Sequence, residues 1–275
     1  MVKIIAVTNQ KGGVGKTTTS VNLAASLADS GAKVLLVDMD PQGNATMGCG
    51  VNKYDVETSV YDVLIQDANA RSVAVYLDKE KFAVLPSNAD VTAAEVELIS
   101  VPMKEHRLRL ALSPIKNDYD YILIDCPPTL NMLTLNALVA ADGVLIPLQC
   151  EYYALEGLSA LVDTVDQIRA SINPKLEIFG IVRTMFDQRT NLTTEVSRQL
   201  IEHFGTKLYT TTIPRNVRLA EAPSFGQSIL QYDRQSKGAL AYLVLASELK
   251  RKISVGSGSA LPIKPAQFEP ALTDV

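Results

Sequence analysis

Cysteine and histidine are scarce in this 275-residue chain, with three Cys and two His. Cys49, Cys126 and Cys150 are odd in number, widely separated and without metal-ligand spacing, which argues against a disulfide framework or a paired-cysteine zinc site. Buried free thiols are the expectation. His106 and His203 have no partner pattern nearby and read as packed or solvent-facing side chains rather than ligands. No uninterrupted apolar run of about 18 residues exists, so no membrane-spanning helix is expected. Met1-Val2-Lys3 leads straight into a strand-like run, and no signal peptide is expected either. Positive charge is in deficit: 26 Lys and Arg against 30 Asp and Glu leave a net charge of −4, which by itself argues against nucleic acid. These absences point to a cytoplasmic protein. What the chain does have is 47% hydrophobic residues, enough for a large core.

Apolar, β-branched runs predict strands over 2–8, 33–39, 81–86, 120–126, 143–149, 176–185 and 208–213. Helical stretches are predicted over 16–30, 58–66, 90–113, 131–140, 156–171, 191–204 and 236–253. This alternation implies an α/β fold: a doubly wound, mostly parallel sheet flanked by helices, with ligand chemistry at the carboxyl ends of the strands. A single domain is expected over 1–253. From about Ser254 the chain turns rich in Gly, Ser and Pro, and a flexible C-terminal tail is expected over 254–275.

The most informative segment is Gln10-Lys11-Gly12-Gly13-Val14-Gly15-Lys16-Thr17-Thr18. A phosphate-binding loop has Gly, four variable residues, then Gly-Lys-[Ser/Thr], with backbone amides wrapped around the anion. Aligned on Gly15-Lys16-Thr17, the first glycine falls on Gln10, and a second lysine, Lys11, enters near the start. Gly12, Gly13 and Gly15 still let the backbone turn and approach an anion without a Cβ in the way. The loop follows the apolar run Lys3 to Thr8 and opens a helix, whose N-terminus adds unpaired amides and partial positive charge. In that setting Lys16 reaches the β- and γ-phosphates of a nucleotide, and the Thr17 hydroxyl takes one place around Mg²⁺.

Two acidic strand ends match this loop. Val37-Asp38-Met39-Asp40-Pro41 closes one predicted strand; alternation sends Asp38 and Asp40 to the same side, and Pro41 keeps the exit extended. Ile122-Leu123-Ile124-Asp125 closes another, an apolar run with the terminal aspartate of a Mg²⁺-side carboxylate.

These segments resemble the ParA/MinD superfamily of ATPases with a deviant Walker A loop. Lys11 to Thr17, Asp38-Met39-Asp40-Pro41-Gln42-Gly43-Asn44 and Asp125-Cys126-Pro127-Pro128 carry the likeness. Thr184 to Leu192 and Ile213 to Ser224 are similar to the chromosomal ParA branch, often called Soj. The resemblance runs from residue 1 to about 250. It implies an ATP- and Mg²⁺-dependent hydrolase, slow without its partner, that pairs as a homodimer with two nucleotides sandwiched face to face. Each Lys11 then reaches the phosphates held by the partner chain, and Gly12, Gly13, Val14, Gly15, Lys16, Thr17 and Thr18 hold ATP, with Thr18 on the α-phosphate. Asp40 positions the attacking water, Asp38 and Asp125 sit around the metal through water, and Pro214 and Asn216 form the adenine side.

The resemblance further implies nonspecific double-stranded DNA binding by the ATP dimer, release through a ParB-type partner, and residence on the nucleoid. From Arg183 to Lys237 eight Lys and Arg face five Asp and Glu, so charge is segregated. Arg189, Arg215, Arg218 and Lys237 are the candidate DNA contacts. A MinD-like, membrane-recruited division regulator is the alternative, but it needs a basic amphipathic C-terminal helix, and 240–252 reads as a packed terminal helix. An iron–sulfur reductase needs subunit-bridging cysteines, and a biosynthetic ligase needs its own substrate pocket. The loop stands nine residues from the start, so no DNA-reading domain is expected ahead of it.

Overall fold

The computed structural model describes residues 2–255. Strand β1 (Lys3–Val7) runs into the glycine loop, then α1 (Lys16–Asp29) and β2 (Val34–Asp38). Three short helices, α2 (Asn44–Gly48), α3 (Val60–Ile65) and α4 (Ala70–Val73), lead to a hairpin of β3 (Val75–Leu77) and β4 (Phe82–Leu85). Next come α5 (Val91–Glu97), α6 (Arg107–Leu112), β5 (Tyr121–Asp125), α7 (Met132–Ala140) and β6 (Gly143–Gln149). They are followed by α8 (Ala154–Ser171), β7 (Glu177–Phe186), α9 (Asn191–Phe204) and β8 (Leu208–Pro214). Helices α10 (Val217–Glu221), α11 (Ile229–Tyr232) and α12 (Lys237–Val255) complete the described chain.

The strands form one sheet in the order β3-β4-β2-β5-β1-β6-β7-β8. Every pairing is parallel except that of β3 with β4. The doubly wound, mostly parallel α/β architecture read from the sequence is the one observed. Side-chain alternation splits the strands between two cores. Ile4, Ala6, Leu35, Val37, Ile122 and Ile124 pack on one face with α3 and α5 to α9. Ile5, Val7, Leu36 and Leu123 pack on the other with α1 and α12. Burial on both faces is why these strands read as continuous apolar runs.

The structure departs locally from the predicted elements. The helix predicted over 90–113 is broken: α5 stops at Glu97, 3₁₀ turns occupy Leu98–Ser100 and Lys104–His106, and α6 begins at Arg107. Pro102 lacks an amide and Met103 takes φ 53, so helical bonding cannot continue. Strand β3 is too short and too exposed for its pattern to signal a strand. Helix α12 continues through Ser254 to Val255, two residues into the expected tail, and 256–275 lie outside the described residues.

Because β1 lies between β5 and β6, and all strands but β3 point the same way, one end of the sheet collects the loops after β1, β2, β5, β6, β7 and β8. The strand order reverses at β1, which opens a crevice there.

Candidate functional site

The loop from Gly12 to Gly15 takes its shape from its glycines: Gly13 has φ 74 and Gly15 φ 85, conformations that cost a side-chain-bearing residue. Gly15 is also the N-cap of α1 and has no side chain to cap the helix, so the first-turn amides stay unclaimed by a cap. Asn9 braces the entry, donating from Nδ2 to the Pro147 carbonyl at 2.8 Å and accepting the Lys11 amide on Oδ1 at 3.0 Å.

Lys16 opens α1 with only 8% of its surface exposed, and its ammonium donates to the Lys11 carbonyl at 3.0 Å. Burial pulls its pKa below the usual lysine value, against the opposing pull of Asp125 and Asp40. Thr17 donates from Oγ1 to one Asp125 carboxylate oxygen at 2.8 Å, and Ser20 donates to the other at 2.7 Å. Asp125 is paired in register with Asp38 on the adjacent strand, and both are 0% exposed. Asp38 accepts from the Thr46 hydroxyl at 2.7 Å, the Thr46 amide at 2.8 Å and the Asp40 amide at 3.1 Å. Burial raises the Asp38 carboxyl to about 6, although the Thr46 bonds favour its charged form. Burial, followed by the Asp38 charge, raises Asp125 to about 8.

Asp40 lies just beyond β2, 9% exposed, accepting the Gln42 amide at 2.9 Å, with its own carbonyl held by the Ser87 hydroxyl at 2.7 Å. The structure thus brings Lys16, Thr17, Asp38, Asp40 and Asp125 to one place. Lys11 behaves differently. Its ammonium forms an ion pair with Glu151 of the same chain, just after β6, and its side chain is 39% exposed.

Pro214 ends β8 half-buried, and Asn216 caps α10 by accepting the Leu219 amide at 3.1 Å. The four basic candidates gather near the ends of β7 and β8 and the start of α12. Arg189 is clamped by Asp187 through two bonds of 2.9 and 2.6 Å. Those bonds hold Asp187 down at about 2, with Arg215 adding to the effect. Arg218 pairs with Glu221 at 2.9 Å and with Asp233 at 3.7 Å. Lys237 opens α12, sharing a groove with Pro214 and Leu240.

Asn9, Ser20, Thr46, Ser87, Glu151 and Thr184 support this site without having been read from the sequence. Ser20 alone had a local signal, since it lies three residues after Thr17 on the same helical face. Asn9 lies just ahead of the loop and Thr46 eight residues after Asp38, whereas Ser87, Glu151 and Thr184 arrive from distant elements. All three cysteines are buried free thiols, as expected. Burial pushes the Cys126 thiol, next to Asp125, well above its ordinary value. Among the described residues no helix is long and apolar enough to cross a membrane.

A family model described as an AAA domain matches residues 2–178. The sporulation initiation inhibitor protein Soj of Bacillus subtilis is 54% identical over 90% of this chain and 98% of its own length. The chromosome partitioning protein ParA of Myxococcus xanthus is 50% identical over 91% of this chain and 88% of its own. Among solved structures, cobyrinic acid a,c-diamide synthase of Mycobacterium smegmatis, with a bound ATP analogue and magnesium, has a TM-score of 0.81 at 35% identity. That likeness covers 92% of this chain and 96% of the other. Identity of this depth to Soj and ParA, over nine-tenths of the chain, makes it a member of the ParA/Soj family of chromosome-partitioning ATPases.

Proposed function

We propose that the chain is an ATP-driven partition switch. It hydrolyses ATP slowly with Mg²⁺, closes as a face-to-face homodimer, binds double-stranded DNA without sequence preference, and releases it when a ParB-type partner stimulates hydrolysis. The observation that carries this reading is the buried pairing of Asp38 with Asp125 beside the Thr17 hydroxyl. Two carboxylates packed together are stabilised by a nearby cation, and an all-oxygen donor set suits Mg²⁺. Among the described residues no group of three or more His, Cys, Asp or Glu side chains is arranged to hold a metal alone. That fits an ion that keeps its waters and takes phosphate oxygens from its nucleotide.

The proposed roles follow from position. Backbone amides of Gly12, Gly13, Val14 and Gly15 hold the phosphates, Lys16 neutralises the β- and γ-oxygens, and Thr18 contacts the α-phosphate. Thr17 ligates Mg²⁺ directly, with Asp38 and Asp125 acting through water. Bound there, the ion offsets the charge that builds on the phosphate oxygens during transfer. Asp40, at the mouth of the crevice, orients the attacking water. Pro214 and Asn216 flank the adenine. Lys11 leaves Glu151 and crosses to the partner chain's phosphates, supplying the charge that an arginine finger supplies elsewhere. Arg189, Arg215, Arg218 and Lys237 face the DNA backbone.

The names of the 54% and 50% identical relatives support partitioning over the synthase reaction named for the 35% identical structure. Against membrane recruitment through α12, that helix already buries Ala239, Tyr242, Leu245, Ala246 and Leu249 in the core. Nucleotide-dependent binding to long, nonspecific DNA tests the reading. Lys16→Ala should lose ATP binding, whereas Asp40→Ala should bind ATP and DNA and hydrolyse at least tenfold more slowly. Equal DNA binding with ATP, with ADP and without nucleotide would refute the switch, and wild-type turnover by Asp40→Ala would remove that residue from its role.

A further inference from the structure

Thr184, on β7, is 170 positions from the glycine loop in sequence, yet its hydroxyl donates to the Val14 carbonyl at 2.7 Å. It is 3% exposed. Its Cγ2 and Cβ stand 3.8 and 3.9 Å from where a Gly15 side chain would begin, so it packs against the back of the loop. The peptide joining Val14 to Gly15 is planar and trans, so its carbonyl and its N–H point in opposite directions. Holding the carbonyl on Thr184 turns the Gly15 N–H away from β7. Within the described residues that N–H donates to no backbone acceptor. Flipped, the same peptide would present a carbonyl dipole where an anion has to sit. Beyond Thr184 the strand abandons regular geometry: Met185 takes φ 48, and the register against β8 shifts between Arg183 and Phe186.

We infer that Thr184 is a positioning residue for nucleotide phosphate, acting through the Val14–Gly15 peptide and fixing its N–H toward the anion. The inference rests on the ATP-binding reading above. It adds a residue from the far side of the crevice, outside the loop motif and both acidic strand ends.

Thr184→Val keeps the shape and removes the hydroxyl, leaving the Val14 carbonyl without its donor; Thr184→Ser keeps the hydroxyl. Both are compared with wild type by titration with a fluorescent ATP analogue, by steady-state KM and kcat, and by melting without nucleotide. The expected result for Thr184→Val is a roughly tenfold rise in Kd and KM, the size of one lost hydrogen bond, with a smaller change in kcat. Thr184→Ser should bind within about twofold of wild type, on the same reasoning. Thr184→Ala replaces the valine variant in the comparison if the latter does not fold. Wild-type affinity in the hydroxyl-free variant, or equal loss in Thr184→Ser, overturns the inference. Failure of the wild type itself to bind ATP overturns the ATP reading and this inference with it.

Discussion

Asp38 and Asp125 are the most demanding pair in the molecule, because both carboxyls are fully buried on neighbouring strands. Five hydrogen bonds from Thr17, Ser20, Thr46 and the Asp40 amide offset part of the cost of burying them. They do not restore ordinary acidity: Asp38 is raised to about 6 and Asp125 to about 8. A carboxyl whose pKa is higher folded than unfolded binds more protons in the native state, so its contribution falls as pH rises through that interval. The nucleotide-free protein should therefore lose thermal stability between about pH 4 and pH 8. Asp125→Asn should flatten that slope. A melting series in buffers of matched ionic strength checks it, and a wild-type profile that is flat or rises would contradict the burial argument. If the pair lies beside Mg²⁺ as proposed, Mg²⁺–ATP should stabilise the protein more than either component alone, which the same melts can read.

Short connecting elements decide whether the two acidic strand ends and the segment after β8 hold together. The turn after α2 crosses the turn before α11 backbone to backbone: Gly50, at φ 86, and Gly226, at φ 61, approach so closely that a Gly50 Cβ would meet the Gly226 carbonyl at 2.7 Å. Neither backbone can yield as a flexible side chain would. Gly50→Ala should cost about 1–3 kcal/mol by overpacking alone, with positive φ adding to it. Urea denaturation gives the measure, and a change within about 0.5 kcal/mol would mean that the crossing relaxes freely. Nucleotide affinity should fall in the same variant, since α2 carries Thr46, the anchor of Asp38.

Across the molecule, two of the four basic candidates for DNA contact are ion-paired: Arg189 with Asp187, and Arg218 with Glu221 and Asp233. Solvent-exposed pairs of this kind contribute little, so phosphate oxygens can replace the carboxylates readily. If DNA binding is backbone-driven, its affinity should fall steeply and linearly in log–log with salt, and Arg189→Ala should lower that slope by about one. An unchanged slope would take Arg189 off the interface. Lys11 is held just as lightly by Glu151. Lys11→Ala should keep ATP binding in the single chain and fail to dimerise, as light scattering with ATP would show; a normal dimer would place Lys11 outside the interface.

Much of the site was legible because its chemistry is local. A glycine loop between a strand and a helix, and aspartates where apolar runs end, follow from backbone conformation and the two-residue period of a strand. The two-faced burial of the sheet was legible for the same reason, in uninterrupted apolar runs. Contacts between distant segments had no such signal. Thr184 on the loop, Ser87 on Asp40 and Glu151 on Lys11 depend on the order in which strands lie side by side, and that order is settled by packing across the whole sheet. Sequence period governs which way a side chain faces; only the assembled sheet decides what it meets.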